Sequence, residues 1–319
     1  MVTQSFTPAD VEPTPEFDSR CMGLIHGWRT GDIPTPNVTQ ELKELAREAA
    51  TSGHAANQGR AEHLSGYIQH YLGNYKVSNM HYENARRLFQ RVGNPRRLAT
   101  MDLNMGENYR HKGEFKRARR LYHDAYEAAA KLDDLRLRTI AIINEGLMLV
   151  SLKEYHNAQK ALEEGLVLSE QWEDTDQLQA LCTEIHYGMA QIQIALGAFT
   201  EAWKSAYESL ENASTSNNLV SVGLAYRILG DVLTTLGEPQ EGATFETPDE
   251  YFRAALDTFR EIDAQAEIGR TQFHHAKSLA ARGRRRPAAQ LFREAMVIFT
   301  RLGMTNDAAH AAEAQLAVF

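Results

Sequence analysis

Cysteine is almost missing from this chain of 319 residues: Cys21 and Cys182 are its whole complement. Two thiols exclude a disulfide framework and a cysteine-built zinc site. Basic charge is not in surplus either. Lys and Arg number 34 against 42 Asp and Glu, a net charge of −8, which argues against general nucleic-acid binding, because that needs clustered cations to displace phosphate counterions. No apolar run approaches the ~20 residues that cross a bilayer. The opening Met1-Val2-Thr3-Gln4-Ser5-Phe6 has neither the basic patch nor the apolar stretch of a secretory signal. The expectation is a cytoplasmic chain with no membrane partner. At 43% hydrophobic residues it is rich enough to bury an extensive core.

Chemical motifs are equally scarce. G-x-x-x-x-G-K-[ST], H-E-x-x-H, G-x-S-x-G and C-x-x-C are all absent. His274 and His275 are adjacent on a predicted helix and point about 100° apart, so they do not chelate together. Glu163-Glu164 and Asp133-Asp134 are paired acids of the kind glycosidases use, but they fall at helix ends or on polar faces and read as solvated charge. Arg282-Gly283-Arg284-Arg285-Arg286 is the one dense basic run. It reads as a solvated loop, with a patch for phosphate or an acidic partner as the other possibility. Trp172 and Trp203 sit in helical core phase and read as packing. No cofactor, no metal and no catalysis are expected.

What the chain does have is a repeat. Gly66, Gly106 and Gly146 recur 40 residues apart, as do Gly73-Asn74-Tyr75, Gly113-Glu114-Phe115 and Lys153-Glu154-Tyr155. Ala85 and Ala125 share that spacing, as do Ala118 and Ala158; the phase then slips and recovers at Gly197, Gly230, Gly237 and Gly283. Each unit reads as two helices. Leu103, Gly106 and Tyr109 lie three apart, then Ala118, Leu121, Tyr122, Ala125 and Ala129 fall three or four apart. Gly113 lies between them, where a helix-ending turn needs positive φ. Small residues at 106 and 118 allow a close crossing, and Tyr109, Phe115 and Tyr122 fill the volume around it. One pair leaves a face uncovered, so the pairs must stack.

Gly106, Tyr109, Gly113, Phe115, Ala118, Tyr122 and Ala125 resemble the signature of the tetratricopeptide repeat, a helix–turn–helix of about 34 residues. The longer spacing here is similar to that of the maltose-regulator-like and kinesin-light-chain-like subclass. The implied fold is all-α: a right-handed α-solenoid of about seven tetratricopeptide-like pairs with a C-terminal capping helix. The pairs are placed at 17–54 (degenerate), 57–94, 95–134, 135–174, 175–216, 217–263 and 264–304, the cap at 305–319. They form a single solenoid domain, 17–319, preceded by a disordered tail at 1–16 that holds Pro8, Pro13 and Pro15.

In such a solenoid the first helices line the concave face. The glycine phase nominates Arg60, His63, Tyr67 and His70 from pair two and Leu103, Asn104, Glu107 and Arg110 from pair three. Pair four offers Ile140, Ile143, Asn144 and Leu147, and pair five Glu184, Tyr187 and Gln191. Pairs six and seven offer Arg227 and Asp231, then Arg270, Phe273, His274 and Lys277. Asn104 and Asn144 are each two residues before a repeat glycine. An Asn side chain both donates and accepts, so it can bond an extended peptide whatever its sequence. In kinesin light chain and the peptide-sensing regulators that the chain resembles, a matching Asn does this. Leu64, Gly188, Ile228 and His274 hold the matching places elsewhere, so the ladder has two rungs; the alternative is that both asparagines bond neighbouring helices. Ile140, Ile143 and Leu147 either give the groove an apolar centre or pack against adjacent first helices. The basic clamp that reads acidic chaperone tails is not reproduced. The expected function is a non-enzymatic scaffold that binds a peptide or protein segment in its groove. The alternative is a sensor module that recognises a short signalling peptide or small effector and acts through a partner. Neither reading sets an oligomeric state.

Overall fold

The computed structural model describes residues 11–173 and 175–318, apart from the side chains of 175 and 176. Among these the chain is entirely helical, with fifteen α-helices and no strand. The first members of successive pairs are α1 (Pro15–Arg29), α3 (Ala55–Tyr71), α5 (Pro95–His111), α7 (Leu135–Ser151), α9 (Thr175–Leu196), α11 (Leu219–Leu236) and α13 (Gln265–Ala281). Their second members are α2 (Thr35–Ser52), α4 (Tyr75–Val92), α6 (Phe115–Leu132), α8 (Tyr155–Ser169), α10 (Phe199–Thr215), α12 (Pro248–Glu261) and α14 (Arg285–Arg301). A lone helix, α15 (Thr305–Leu316), packs on α14. This is a solenoid of tetratricopeptide-like helix pairs. The helices form two compact units, Met1–Arg110 with Glu114–Ala141, and His111–Gly113 with Ile142–Phe319.

The forty-residue spacing has a steric cause. A Cβ added at Gly106 would stand 2.5 Å from the Tyr122 ring, and one at Gly66 would stand 2.6 Å from the Tyr82 ring. Both rings are buried, so each glycine is the floor on which its partner helix rests an aromatic side chain. Turns recur in the same way. Gly73 has φ 79° and Gly113 φ 73°, and Lys153 adopts φ 62° at the same place in the next repeat. The left-handed turn is therefore kept even where a side chain makes it costly.

Two expectations are corrected. The tail at 1–16 is not disordered over its described part. Thr14 caps α1, its hydroxyl accepting from the Phe17 N–H at 3.4 Å, and its own N–H donates to Asn57 Oδ1 at 2.8 Å. Glu12 takes Arg97 in an ion pair at 3.1 Å. Residues 1–10, with Pro8, lie outside the described residues. The second correction concerns apolar runs: α11 is long and apolar enough to cross a membrane, with a mean hydropathy of 1.4. Here it is a central helix with Ala225, Ile228, Leu229, Val232 and Leu233 buried against α10 and α12, which explains its composition.

Candidate functional site

The first helices of each unit lie side by side, and the residues nominated for ligand contact sit along them. In the first unit they are joined mostly to one another. Arg60 Nε donates to Asp18 Oδ1 at 2.5 Å, and Nη1 meets His63 Nδ1 at 3.2 Å. The Asn104 amide is 2.9 Å from His63 Nε2. Arg60 Nη1 and Asn104 Nδ2 each approach one ring nitrogen of His63, and the neutral ring accepts from one of these two donors. Burial, reinforced by Arg60 and Arg97, pushes the His63 pKa well below the ordinary imidazole value. Tyr67 Oη accepts two hydrogen bonds from Arg29, whose guanidinium lies 5.0 Å over the Tyr67 ring. His70 Nδ1 contacts Asn108 Oδ1 at 2.7 Å. Glu107 is held by Arg110 at 2.6 Å and accepts the Tyr122 hydroxyl. Burial would raise the Glu107 carboxyl, but Arg110 outweighs it and holds it below the usual range.

Asn104 thus contacts the preceding pair. Asn144 is different. It is 7% exposed, and no side-chain hydrogen bond to a described residue engages it. Leu103, Ile143 and Leu147 are buried as well. A Cβ added at Gly188 of α9 would meet the Leu147 side chain at 2.8 Å, and one at Gly165 of α8 would meet Ile143 at 2.4 Å. These two residues pack against neighbouring helices instead of lining a sticky groove. Ile140 is half-buried.

The second unit carries the longest polar run. Tyr187 on α9, Arg227 on α11 and Glu267 on α13 are each 40 residues apart in sequence. Arg227 Nη2 donates to Tyr187 Oη at 3.1 Å, and Nη1 donates to Glu267 Oε2 at 2.5 Å. The guanidinium also lies 5.5 Å from the Tyr187 ring centre and 5.8 Å from that of Phe259. Arg270 continues the run, bonding Glu267 at 2.6 Å and reaching Asp307 on α15 at 3.5 Å. Burial alone would raise the Glu267 carboxyl, yet Arg227 and Arg270 bring it down to about 2. Burial would likewise lower Arg227, but Tyr187 and Glu267 hold it above the ordinary guanidinium value.

Around this fixed line stand the reachable groups. Gln191 donates to Tyr187 Oη at 3.2 Å, and His274 Nδ1 is 2.6 Å from Asp231 Oδ2. Lys277 is exposed, with its ammonium 5.7 Å over the Phe273 ring. Glu184 is half-buried on the same helix as Tyr187. His275 turns to another helix altogether, bonding Asp249 at 2.9 Å, so the adjacent histidines serve different faces. The basic run after α13 is only partly a solvated loop, because Arg282 and Arg284 both donate to Asp249. Trp172 and Trp203 are buried, as packing requires.

Sequence reading missed Asp18, Arg29, Asn108, Glu267 and Asp307. Glu267 had a signal: the interval that found the glycines, applied to charged residues, runs from Tyr187 through Arg227 directly to it. Asp18 and Arg29 lie in the degenerate first pair, where that phase is lost.

No family model and no curated protein matches the chain. Solved structures do match it. One is a Rap protein complexed with competence and sporulation factor, at 15% identity and a TM-score of 0.63, covering 95% of this chain and 84% of the other. The apo form of the quorum sensor NprR from B. thuringiensis follows at 12% identity and 0.55, over 88% and 82%. Aspartyl phosphate phosphatase F from Bacillus subtilis gives 12% and 0.52, over 99% and 85%. The fold is of the tetratricopeptide type. At these identities the likeness speaks for the fold alone, and the tetratricopeptide-type first-helix face described above remains the candidate site.

Proposed function

We propose that this chain is a cytoplasmic, non-enzymatic binding protein that holds a peptide or protein segment against its first helices, with the second unit as the main contact surface. One observation carries the reading. Tyr187, Arg227, Glu267, Arg270 and Asp307 cross-bond the first-type helices α9, α11 and α13 and the lone helix α15, and Gln191, Asp231, His274 and Lys277 stand reachable beside them. A rigid backing with accessible donors, acceptors and aromatic edges is what an extended segment needs, since preorganisation lowers the cost of binding. Asn144 adds an amide on α7 that makes no side-chain hydrogen bond to a described residue. The acids and bases of the line neutralise one another, which favours recognition over chemistry.

A sensor role is the second reading, favoured by two of the similar structures: one is a complex with competence and sporulation factor, the other a quorum sensor. Under that reading the segment is a short free signalling peptide.

The test is a melting curve with pools of synthetic peptides of about ten residues at millimolar concentration. A ligand at 100 times its Kd stabilises the native state by about 2.7 kcal/mol. A pool that raises the melting temperature of the native chain, and no longer does so for His274→Ala with Lys277→Ala, supports the assignment. A shift unchanged in that variant rejects the surface, and no shift from any pool rejects peptide binding.

A further inference from the structure

A second surface lies away from the first-helix face. In the first unit, a cleft of about 580 Å³ opens between the second helices α4 and α6, with α5 as its floor. Its apolar lining is Met105 and Tyr109 on α5 and Leu121 on α6, with Asp102 on the same floor. The walls carry an excess of arginine, with Arg86 and Arg87 on α4 facing Arg117 and Arg120 on α6, against Glu83 and Asp124.

The charge is local and set against the rest of the chain. Together α4 and α6 carry nine Lys and Arg against three acids, in a chain of net −8. The second helices α2, α8, α10 and α12 are each net negative, and of the others only α14 is positive. Arg86 is taken by Asp102 at 3.1 Å, but the other wall cations are weakly spent. Arg120 is 84% exposed with Asp124 at 3.8 Å, and Arg117 is 67% exposed, paired to Glu114 at 2.7 Å. Arg87 bonds the Asn84 amide oxygen and a backbone carbonyl of its own helix.

We infer that this cleft docks an acidic amphipathic helix of a partner protein. Apolar side chains of that helix lie on Met105, Tyr109 and Leu121, and its carboxylates meet Arg87, Arg117 and Arg120. The complementarity favours a protein over a nucleic acid. Glu83, Asp102 and Asp124 also line the cleft and would repel a continuous line of phosphates, whereas a helix can place its carboxylates against Arg87, Arg117 and Arg120 alone. A cleft of this size is in the range of about 300–1,000 Å³ typical of binding pockets.

Fluorescence anisotropy on the full chain tests this with three probes. They are a peptide of about 18 residues with Leu along one helical face and Glu elsewhere, its scrambled isomer, and a short DNA duplex. The expected result is saturable binding of the amphipathic peptide, with the scrambled isomer and the duplex at least about tenfold weaker. Arg87→Glu with Arg120→Glu should weaken the peptide about tenfold or more at unchanged melting temperature, and Leu121→Gln should weaken it without affecting the duplex. If the double variant melts early, Arg120→Glu alone, at the most exposed wall position, must still weaken binding. Equal affinity for the scrambled isomer, tighter binding of the duplex, indifference to charge reversal, or no peptide binding would each overturn the proposal.

Discussion

Removing the Glu267 carboxylate should destabilise the second unit far more than removing its whole charged pair. Glu267 and Arg227 are buried to 9% and 4% side-chain exposure and meet at 2.5 Å. The Glu267 carboxyl is brought from 4.5 to about 2. At about 1.4 kcal/mol per pKa unit this corresponds to about 3 kcal/mol. Its pKa is depressed, so that stability is fully present above pH ~4.5 and drains away as pH falls toward ~2. Glu267→Ala strands Arg227 with Tyr187 alone, and an orphaned buried charge costs about 3–5 kcal/mol. The double substitution Arg227→Met with Glu267→Leu, which removes both charges, should cost no more than about 1 kcal/mol. Urea titrations followed by circular dichroism, run at pH 7 and pH 3, give all the required comparisons. The deficit of the single variant relative to the native chain should shrink at the lower pH without vanishing, because pH 3 still lies above the folded-state pKa of about 2. A double variant as damaged as Arg227→Met and Glu267→Leu made singly and summed would show that the pair is not coupled and refute the reasoning.

Gly106→Ala should cost about 1–3 kcal/mol by overpacking the Tyr122 ring, measured as a lower denaturation midpoint with unchanged helix content. His63 stays neutral in the folded chain while the unfolded chain binds a proton below pH ~6.5. Stability should therefore fall as pH drops below that value, and His63→Gln should flatten this part of the pH profile of the melting temperature. Asn104→Ala should cost about 1 kcal/mol, because it breaks a bond between helices, whereas Asn144→Ala should leave melting nearly unchanged and weaken any peptide captured beside it. Calorimetric melting of both variants, with and without the peptide pool, distinguishes the two asparagines.

The helical periodicity of the sequence, its forty-residue interval and its turn glycines together determined the architecture. A solenoid buries the same positions in every repeat, so Gly66, Gly106 and Gly146 had to recur, as did Tyr82 and Tyr122 opposite the first two. Boundaries followed from the same physics, since a left-handed turn shows itself as glycine in most repeats. Lys153 was placed only by its register with the glycines. The candidate face was legible as a list of positions and not as a set of roles. Which polar residues bond across helices depends on how far one helix shifts along the next, a quantity that single-residue spacing leaves open. Asn104 and Asn144 are equivalent in sequence, yet only Asn104 has an imidazole within reach, because His63 happens to stand on the preceding helix. Leu147 and Ile143 looked like groove residues until the close approach of Gly188 and Gly165 showed what covers them. The cationic cleft was invisible for the same reason: its arginines belong to two helices separated by a third, and only packing brings them to opposite walls. Local sequence decides what each helix is, and the contact of one helix with another decides what its side chains are free to do.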